Sequence, residues 1–94
     1  MMSNEERIDR MRQRLEERLA PQELAIRDDS HLHIGHAGAR DGRGHFHVTI
    51  RAEDFRGKTP LARHRLVFEV LDDMMKTDIH ALQIDAGPPD KDGS

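Results

Sequence analysis

Ninety-four residues, 35% of them hydrophobic and 35% charged, with three Phe and no Trp or Tyr, supply one modest core of Leu, Ile, Val and Met, and leave no room for a second domain or a large internal ligand cavity. The absence of cysteine excludes disulfides, and it obliges any metal or iron–sulfur chemistry to use His and carboxylate from this chain or thiolates from another. The net charge of −3 is uneven: residues 51–68 carry five basic and two acidic side chains, whereas residues 69–94 carry two basic and seven acidic ones, so only the first stretch suits phosphate or an acidic partner.

The N-terminus alternates acidic and basic residues without an apolar run, which is the pattern of neither a signal nor a transit peptide, and no later segment is long enough to span a bilayer. A soluble, cytoplasmic protein is expected. Ser3 followed by Glu6 forms a capping box, after which Ile8, Met11, Leu15 and Leu19 recur at helical spacing until Pro21. The polar face of this helix mixes Arg7, Arg10, Arg14 and Arg18 with Asp9, Glu16 and Glu17 and reads as a solvated, ion-paired surface. Leu24 and Ile26 alternate with Ala25 and Arg27 as a short strand that ends at Asp28-Asp29-Ser30.

Residues 30–44 form a long connection with four Gly, of a length that in a small domain is usually functional or mobile. A second strand follows, with Phe46, Val48 and Ile50 on the core face and His45, His47, Thr49 and Arg51 on the other, so helices need cover only one side. Glu53 to Lys58 reads as a turn or a single helical turn. Thr59 then caps, and Pro60 starts, a helix predicted to reach about Lys76, with Leu61, Leu66, Val67, Val70, Leu71 and Met74 buried. Ile79 to Ala86 is a last strand with His80, Leu82 and Ile84 on one face, and Gly87-Pro88-Pro89 ends the ordered domain, leaving residues 88–94 as a disordered tail. The order α-β-β-α-α-β implies an α+β layer with a three-stranded mixed sheet and helices on one side.

Several residues are chemically suggestive. His31, His33 and His36 stand in a His-x-His-x-x-His spacing, which is either a polar loop or a zinc site. His80 opens a strand in phase with Leu82 and Ile84, as a rim histidine satisfied by a hydrogen bond would. His45 and His47 are expected to face solvent or a partner, and His64, beside the apolar stripe, reads as structural. Arg56, Lys58, Arg63 and Arg65 form a basic patch, either solvated or used to dock a protein or phosphate. Gly35-His36-Ala37-Gly38 spells the Gly-x-x-Gly of nucleic-acid-binding KH domains, but it joins two strands, whereas that loop joins two helices; the corresponding turn, Phe55 to Pro60, has only Gly57. There is no nucleophilic Cys and no phosphate-binding loop, and Ser30 belongs to no triad pattern, so no enzyme activity is expected.

Asp29-Ser30 with His33, then His45-Phe46, Phe55-Arg56-Gly57-Lys58, Arg63-His64-Arg65-Leu66-Val67 and Ile79-His80-Ala81-Leu82 fall in the order of signature blocks, and through them residues 5–87 resemble the BolA family. The resemblance implies a class II KH-like fold for residues 1–87. It also implies a non-enzymatic adaptor that partners a monothiol glutaredoxin, as a heterodimer, to share and transfer a two-iron, two-sulfur cluster in cluster assembly or iron homeostasis. In that arrangement the glutaredoxin cysteine and glutathione supply thiolates, and the BolA side supplies the histidine before the last strand and a His or Cys from the long loop, which the resemblance carries over to His80 and, matched by its spacing from Ser30, to His33. Two imidazoles replacing two thiolates on one iron raise a cluster's potential. Protonation would remove their lone pairs, so cluster sharing should weaken as acid approaches an ordinary histidine pKa of about 6.5. No cofactor is expected in the isolated protein, which should be a monomer away from membranes. The alternative implied by the family is a transcriptional regulator that binds DNA through Lys58, Arg63 and Arg65. Departures from the family pattern are His47 in place of Lys or Arg, Gly44 in place of Ser and Phe68 in place of Tyr.

Overall fold

A computed structural model describes residues 2–33 and 42–89, with the side chains of Leu32 and His33 outside that description. The elements run α1 (Asn4–Leu19), β1 (Glu23–Asp28), a 3₁₀ turn (Ser30–His33), β2 (Gly44–Arg51), a second 3₁₀ turn (Glu53–Phe55), α2 (Pro60–Val70), α3 (Asp72–Thr77) and β3 (Ile79–Gly87). The Gly-x-x-Gly at 35–38, His36 and the tail beyond Pro89 lie outside the described residues.

Capping chemistry sets the bounds of α1. Ser3 Oγ accepts from the Glu6 amide at 3.1 Å and Glu6 Oε1 accepts from the Ser3 amide at 2.8 Å, which closes the capping box and holds the Glu6 carboxyl below its ordinary range. The helix stops at Ala20, a non-glycine residue with φ of 44°, just ahead of Pro21.

The sheet order is β1-β2-β3, with β1 antiparallel to β2 and β3 parallel to it. The mixed character follows from the connections: β1 returns directly into β2, whereas β2 reaches β3 through α2 and α3, the crossover a parallel pair needs. Phe46, Val48 and Ile50 of β2 are at most 2% exposed and pack with Leu24, Ile26, Leu82 and Ile84 against Met11, Leu15, Phe55, Val67, Leu71 and Met74 of the helices and turn. The opposite face carries Arg27, Thr49, Gln83 and Asp85 and is open. The fold is α+β, with helices on one side of a three-stranded mixed sheet.

Several side-chain placements and one helix end differ from the sequence reading. The long helix breaks at Leu71, whose φ of −101° and ψ of 14° interrupt it, and α3 restarts with Asp72 and Asp73 in its first turn, where carboxylates suit the partial positive charge of a helix N-terminus. Leu61, expected in the core, is 59% exposed, because six residues place it about 120° around the helix from Val67. His45 is buried rather than facing solvent. Arg7, assigned to a solvated helix face, is also buried: its Nε donates to Asp78 Oδ1 at 3.1 Å and its Nη1 to Asn4 Oδ1 at 2.9 Å.

Burial alone would raise the pKa of Asp78, but the Thr77 hydroxyl and the Arg7 guanidinium outweigh it and hold the carboxyl below its ordinary value. The stability gained is present above the unfolded pKa of about 3.9 and is lost as pH falls through the lowered folded value. Asp78→Asn should therefore reduce the unfolding free energy by about 3 kcal/mol at neutral pH in urea melts, the cost of stranding Arg7, and the gap from wild type should close on acidification. Ala20→Gly should raise stability by about 1 kcal/mol, because glycine removes the left-handed penalty at the α1 terminus; a higher melting temperature is the expected reading.

Candidate metal centre

One end of the sheet brings together the C-terminus of β1 and the N-termini of β2 and β3. A polar clasp assembles it. Asn4, in the first turn of α1, donates through Nδ2 to Asp28 Oδ2 and to Ser30 Oγ, both at 3.1 Å. The Ser30 amide donates back to Asp28 Oδ1 at 2.9 Å, an Asx-type turn that starts the 3₁₀ turn carrying His33. Ser30 Oγ also accepts from the His45 amide at 3.0 Å, and the Asp29 amide donates to the His45 carbonyl at 2.8 Å. The backbone entering the loop is thereby fastened to the first residues of β2. Burial raises the Asp28 pKa, yet the Ser30 and Asn4 hydrogen bonds prevail and lower it, while the Arg27 fork at 2.7 and 3.0 Å holds Asp29 down.

The third strand is fixed to the same end. The Gly44 amide donates to the Asp78 carbonyl at 2.9 Å, and the Arg7 ion pair anchors the Asp78 side chain. Pairing then shifts by one residue: Gly44 stands opposite Ile79 but His45 opposite Ala81, so His80 is the extra residue of a β-bulge. A bulge of this kind re-aims one side chain. It leaves Ile79 in the core and His80 exposed, out of the simple alternation with Leu82 and Ile84 that the sequence suggested. A Cβ on Gly44 would collide with the Phe46 ring, so the serine common in the family at this position would require Phe46 to move.

Around His80 the structure places His45, which the sequence set on the outer face, and Arg43, which no sequence pattern singled out. The His45 ring lies 5.1 Å from the His80 ring, centroid to centroid, tilted by 49°. Arg43 Nη2 is 3.2 Å from His80 Nδ1, and because a guanidinium has only donors, Nδ1 presents its lone pair in this contact. Among the described residues no group of three or more His, Cys, Asp or Glu side chains is placed to enclose a metal ion, so what these residues offer is imidazole donors for an incomplete coordination sphere. An exposed imidazole such as His80 would suit one iron of a cluster whose remaining ligands come from elsewhere, provided that Arg43 gives up its contact with Nδ1. His33 enters the same end through the backbone of its turn, three residues from Ser30.

The basic residues have separate fates. Arg56 forms a bidentate pair with Glu53 at 2.8 and 3.0 Å. Arg63 is half-buried, and its Nε donates to the Phe55 carbonyl at 3.0 Å while its Nη1 reaches the Ala86 carbonyl at 3.5 Å, so it ties α2 to the second turn and to the end of β3. Lys58 and Arg65 are exposed around a shallow depression with Ala62, Leu66 and Glu69. Arg63 meets β3 at Ala86, six residues from His80 and roughly 20 Å away along the strand, so the basic patch and the histidine pair stand at opposite ends of the sheet.

Removal of the Ser30 hydroxyl by Ser30→Ala should free the His45 amide for faster hydrogen exchange and cost about 1–2 kcal/mol, with exchange at core amides such as Val48 changed only by the loss of global stability; residue-resolved exchange by NMR checks this.

Comparison with known proteins gives a consistent result. The family model described as BolA-like protein matches residues 15–91. The Arabidopsis thaliana protein named BOLA1, chloroplastic, is 41% identical over 93 residues, covering 96% of this chain and 58% of the relative. BolA-like protein 1 of Mus musculus is 39% identical over 79 residues, covering 84% of this chain and 56% of the relative. Among solved structures, the BolA domain of SufE1 from Arabidopsis thaliana superposes with a TM-score of 0.78 at 41% identity, covering 88% of this chain and 92% of that one. The chain thus spans a little over half the length of these full-length curated relatives, and 23% of the one named SufE-like protein 1, chloroplastic/mitochondrial. The plant relatives' names place them in organelles, which lends no support to a cytoplasmic location; no helix among the described residues is long and apolar enough to cross a membrane. With a matching family model across most of its length and relatives near 40% identity, the chain belongs to the BolA-like family.

Proposed function

We propose that the chain is a non-enzymatic adaptor that shares a two-iron, two-sulfur cluster with a monothiol glutaredoxin, as cargo to be passed on. The observation that carries this reading is the convergence, at one end of the sheet, of His80 on its bulge and the turn that bears His33. His80 and His33 would hold one iron, and the partner cysteine with glutathione would supply the thiolates that a chain without cysteine lacks. The role of the fold is to present imidazoles at an open edge where a second protein can complete the coordination sphere. His80 is exposed, as a shared ligand must be.

The DNA-binding alternative is the weaker reading, since Arg56 and Arg63 are engaged with Glu53 and with backbone carbonyls, and Lys58 and Arg65 remain for phosphate. Two phosphate contacts support only a shallow salt dependence, with a slope of about −1.8 in log–log form.

The test is an anaerobic titration of cluster-loaded monothiol glutaredoxin and glutathione with this protein, followed by visible absorption and circular dichroism. The expected result is a new saturating spectrum that His80→Ala abolishes, that His33→Ala alters, and that the double change Lys58→Ala with Arg65→Ala leaves intact, because those residues lie at the far end of the sheet. An unchanged glutaredoxin spectrum with the wild-type chain would end the proposal.

A further inference from the structure

The hydrogen bond from Arg43 to His80 has the opposite polarity to the one that supports a metal-bound histidine. We propose that Arg43 is a latch: it withholds both ring nitrogens of His80 from a metal until the contact is broken. The inference rests on the cluster-sharing reading above and adds a regulation of the same site.

A guanidinium has only donors, so Arg43 Nη2, 3.2 Å from His80 Nδ1, takes the lone pair of that nitrogen, and the proton of the neutral ring sits on Nε2. Neither nitrogen of this tautomer can accept a metal. Nδ1 has committed its lone pair to Arg43, and Nε2 has none while it holds the proton. Moving the proton to Nδ1 would free Nε2, but it would set an N–H against an N–H of Arg43. A metal-bound imidazole normally donates its second ring N–H to a carboxylate, a carbonyl or water, and Arg43 stands where that acceptor belongs.

The backbone places the latch. Arg43 precedes Gly44, whose amide donates to the Asp78 carbonyl at 2.9 Å, and Gly44 pairs with Ile79 immediately before the bulge, so Arg43 and His80 flank one backbone junction. Arg43 Nη1 lies 3.5 Å from the Met75 carbonyl of α3, a second hold on the guanidinium. Arg43 is half-buried and His80 is exposed, so a partner reaches the imidazole from outside and must break the Arg43 contact without unpacking the core. A charged hydrogen bond at so accessible a site is worth a factor of about three to ten in an equilibrium. That is small enough for an arriving partner to overcome and large enough to measure.

The first test needs no glutaredoxin. Diethyl pyrocarbonate is an uncharged reagent that acylates the lone pair of a neutral imidazole, and peptide mass spectrometry after limited reaction follows each histidine separately. At about pH 8.5, roughly two units above the ordinary imidazole pKa of about 6.5, protonation of the rings does not limit the reaction. His80 should be modified about three- to tenfold faster in Arg43→Ala than in the wild-type chain, with His47 unchanged as the internal control. In wild-type protein labelled with ¹⁵N in its histidines, long-range ¹H–¹⁵N correlations should show His80 Nδ1 as an unprotonated nitrogen displaced upfield by an accepted hydrogen bond, and Arg43→Ala should remove the displacement. Equal modification rates, or a wild-type Nδ1 that is protonated or not displaced, overturn the latch; the wild-type resonance decides it even where the variant fails a melting check of its fold. The second test repeats the glutaredoxin titration with Arg43→Ala, which should reach half-conversion at about three- to tenfold lower concentration than wild type. Half-conversion at a higher concentration makes Arg43 an aid to sharing, which overturns the latch and leaves cluster sharing intact. A wild-type chain that forms no mixed-ligand cluster overturns the functional reading instead, and the modification rates and the Nδ1 resonance then decide the latch.

Discussion

Arg7 is the charge around which the candidate site is built. A guanidinium this deeply buried is tolerated only when its donors are met, and here they are met by Asp78, the residue just before β3, and by Asn4 on its own helix. Asn4 in turn holds Asp28 and Ser30, and Ser30 holds the first residues of β2. One hydrogen-bonded chain therefore spans α1, the end of β1, the start of β2 and the approach to β3. Apolar packing could fix the sheet on the helices while leaving this rim loose, because hydrophobic attraction is non-directional; the angular demands of the Arg7, Asn4 and Ser30 contacts set where the rim histidines stand.

The energetic logic of the rim explains why its carboxylates are ionised at neutral pH. Asp28 and Asp78 are each penalised by burial, and each recovers more than that penalty from hydrogen bonds to its charged form. A protonated carboxyl at either position would give up an acceptor that Asn4, Ser30 or Arg7 needs. The imidazoles are thus mounted on a frame whose integrity is insensitive to pH over the range in which histidine itself titrates.

Much of this architecture could be read from residues in sequence, and what could not has identifiable causes. The capping box at Ser3 and Glu6, the alternation through Phe46, Val48 and Ile50, and the Thr59-Pro60 start of α2 are local signals, and the corresponding elements are where those signals place them. Arg7 looked solvated because its partner lies 71 residues away. His45 fell on the outer face by alternation, and no local pattern foretells that a bulge will bring His80 against it. The break at Leu71 did leave a trace, the Asp72-Asp73 pair suited to a new helix start, but an unbroken apolar stripe through Met74 outweighed it. His80 and His33 themselves came from a likeness to signature blocks, since spacing alone gave His80 only the look of a rim histidine.

An incomplete ligand set has consequences for what such a protein can do. A site with four ligands of its own would hold a metal tightly and release it slowly, as structural zinc sites do. Imidazoles at an open strand edge would not, and an iron held by them would have to keep bonds to another molecule. Under the proposed function binding would depend on both proteins at once, and the two differ in kind: imidazole donors are neutral and thiolates are anionic, so exchange of one pair for the other would change the charge and potential of the cluster. The bulge at His80 and the clasp behind it hold an imidazole in a fixed place at the sheet edge, on a domain whose core is too small to enclose a cluster. Under the proposed function the size of the domain and the openness of its site would be one constraint, met by putting the ligands on the edge of the sheet and leaving the core to Phe46, Leu15 and their neighbours.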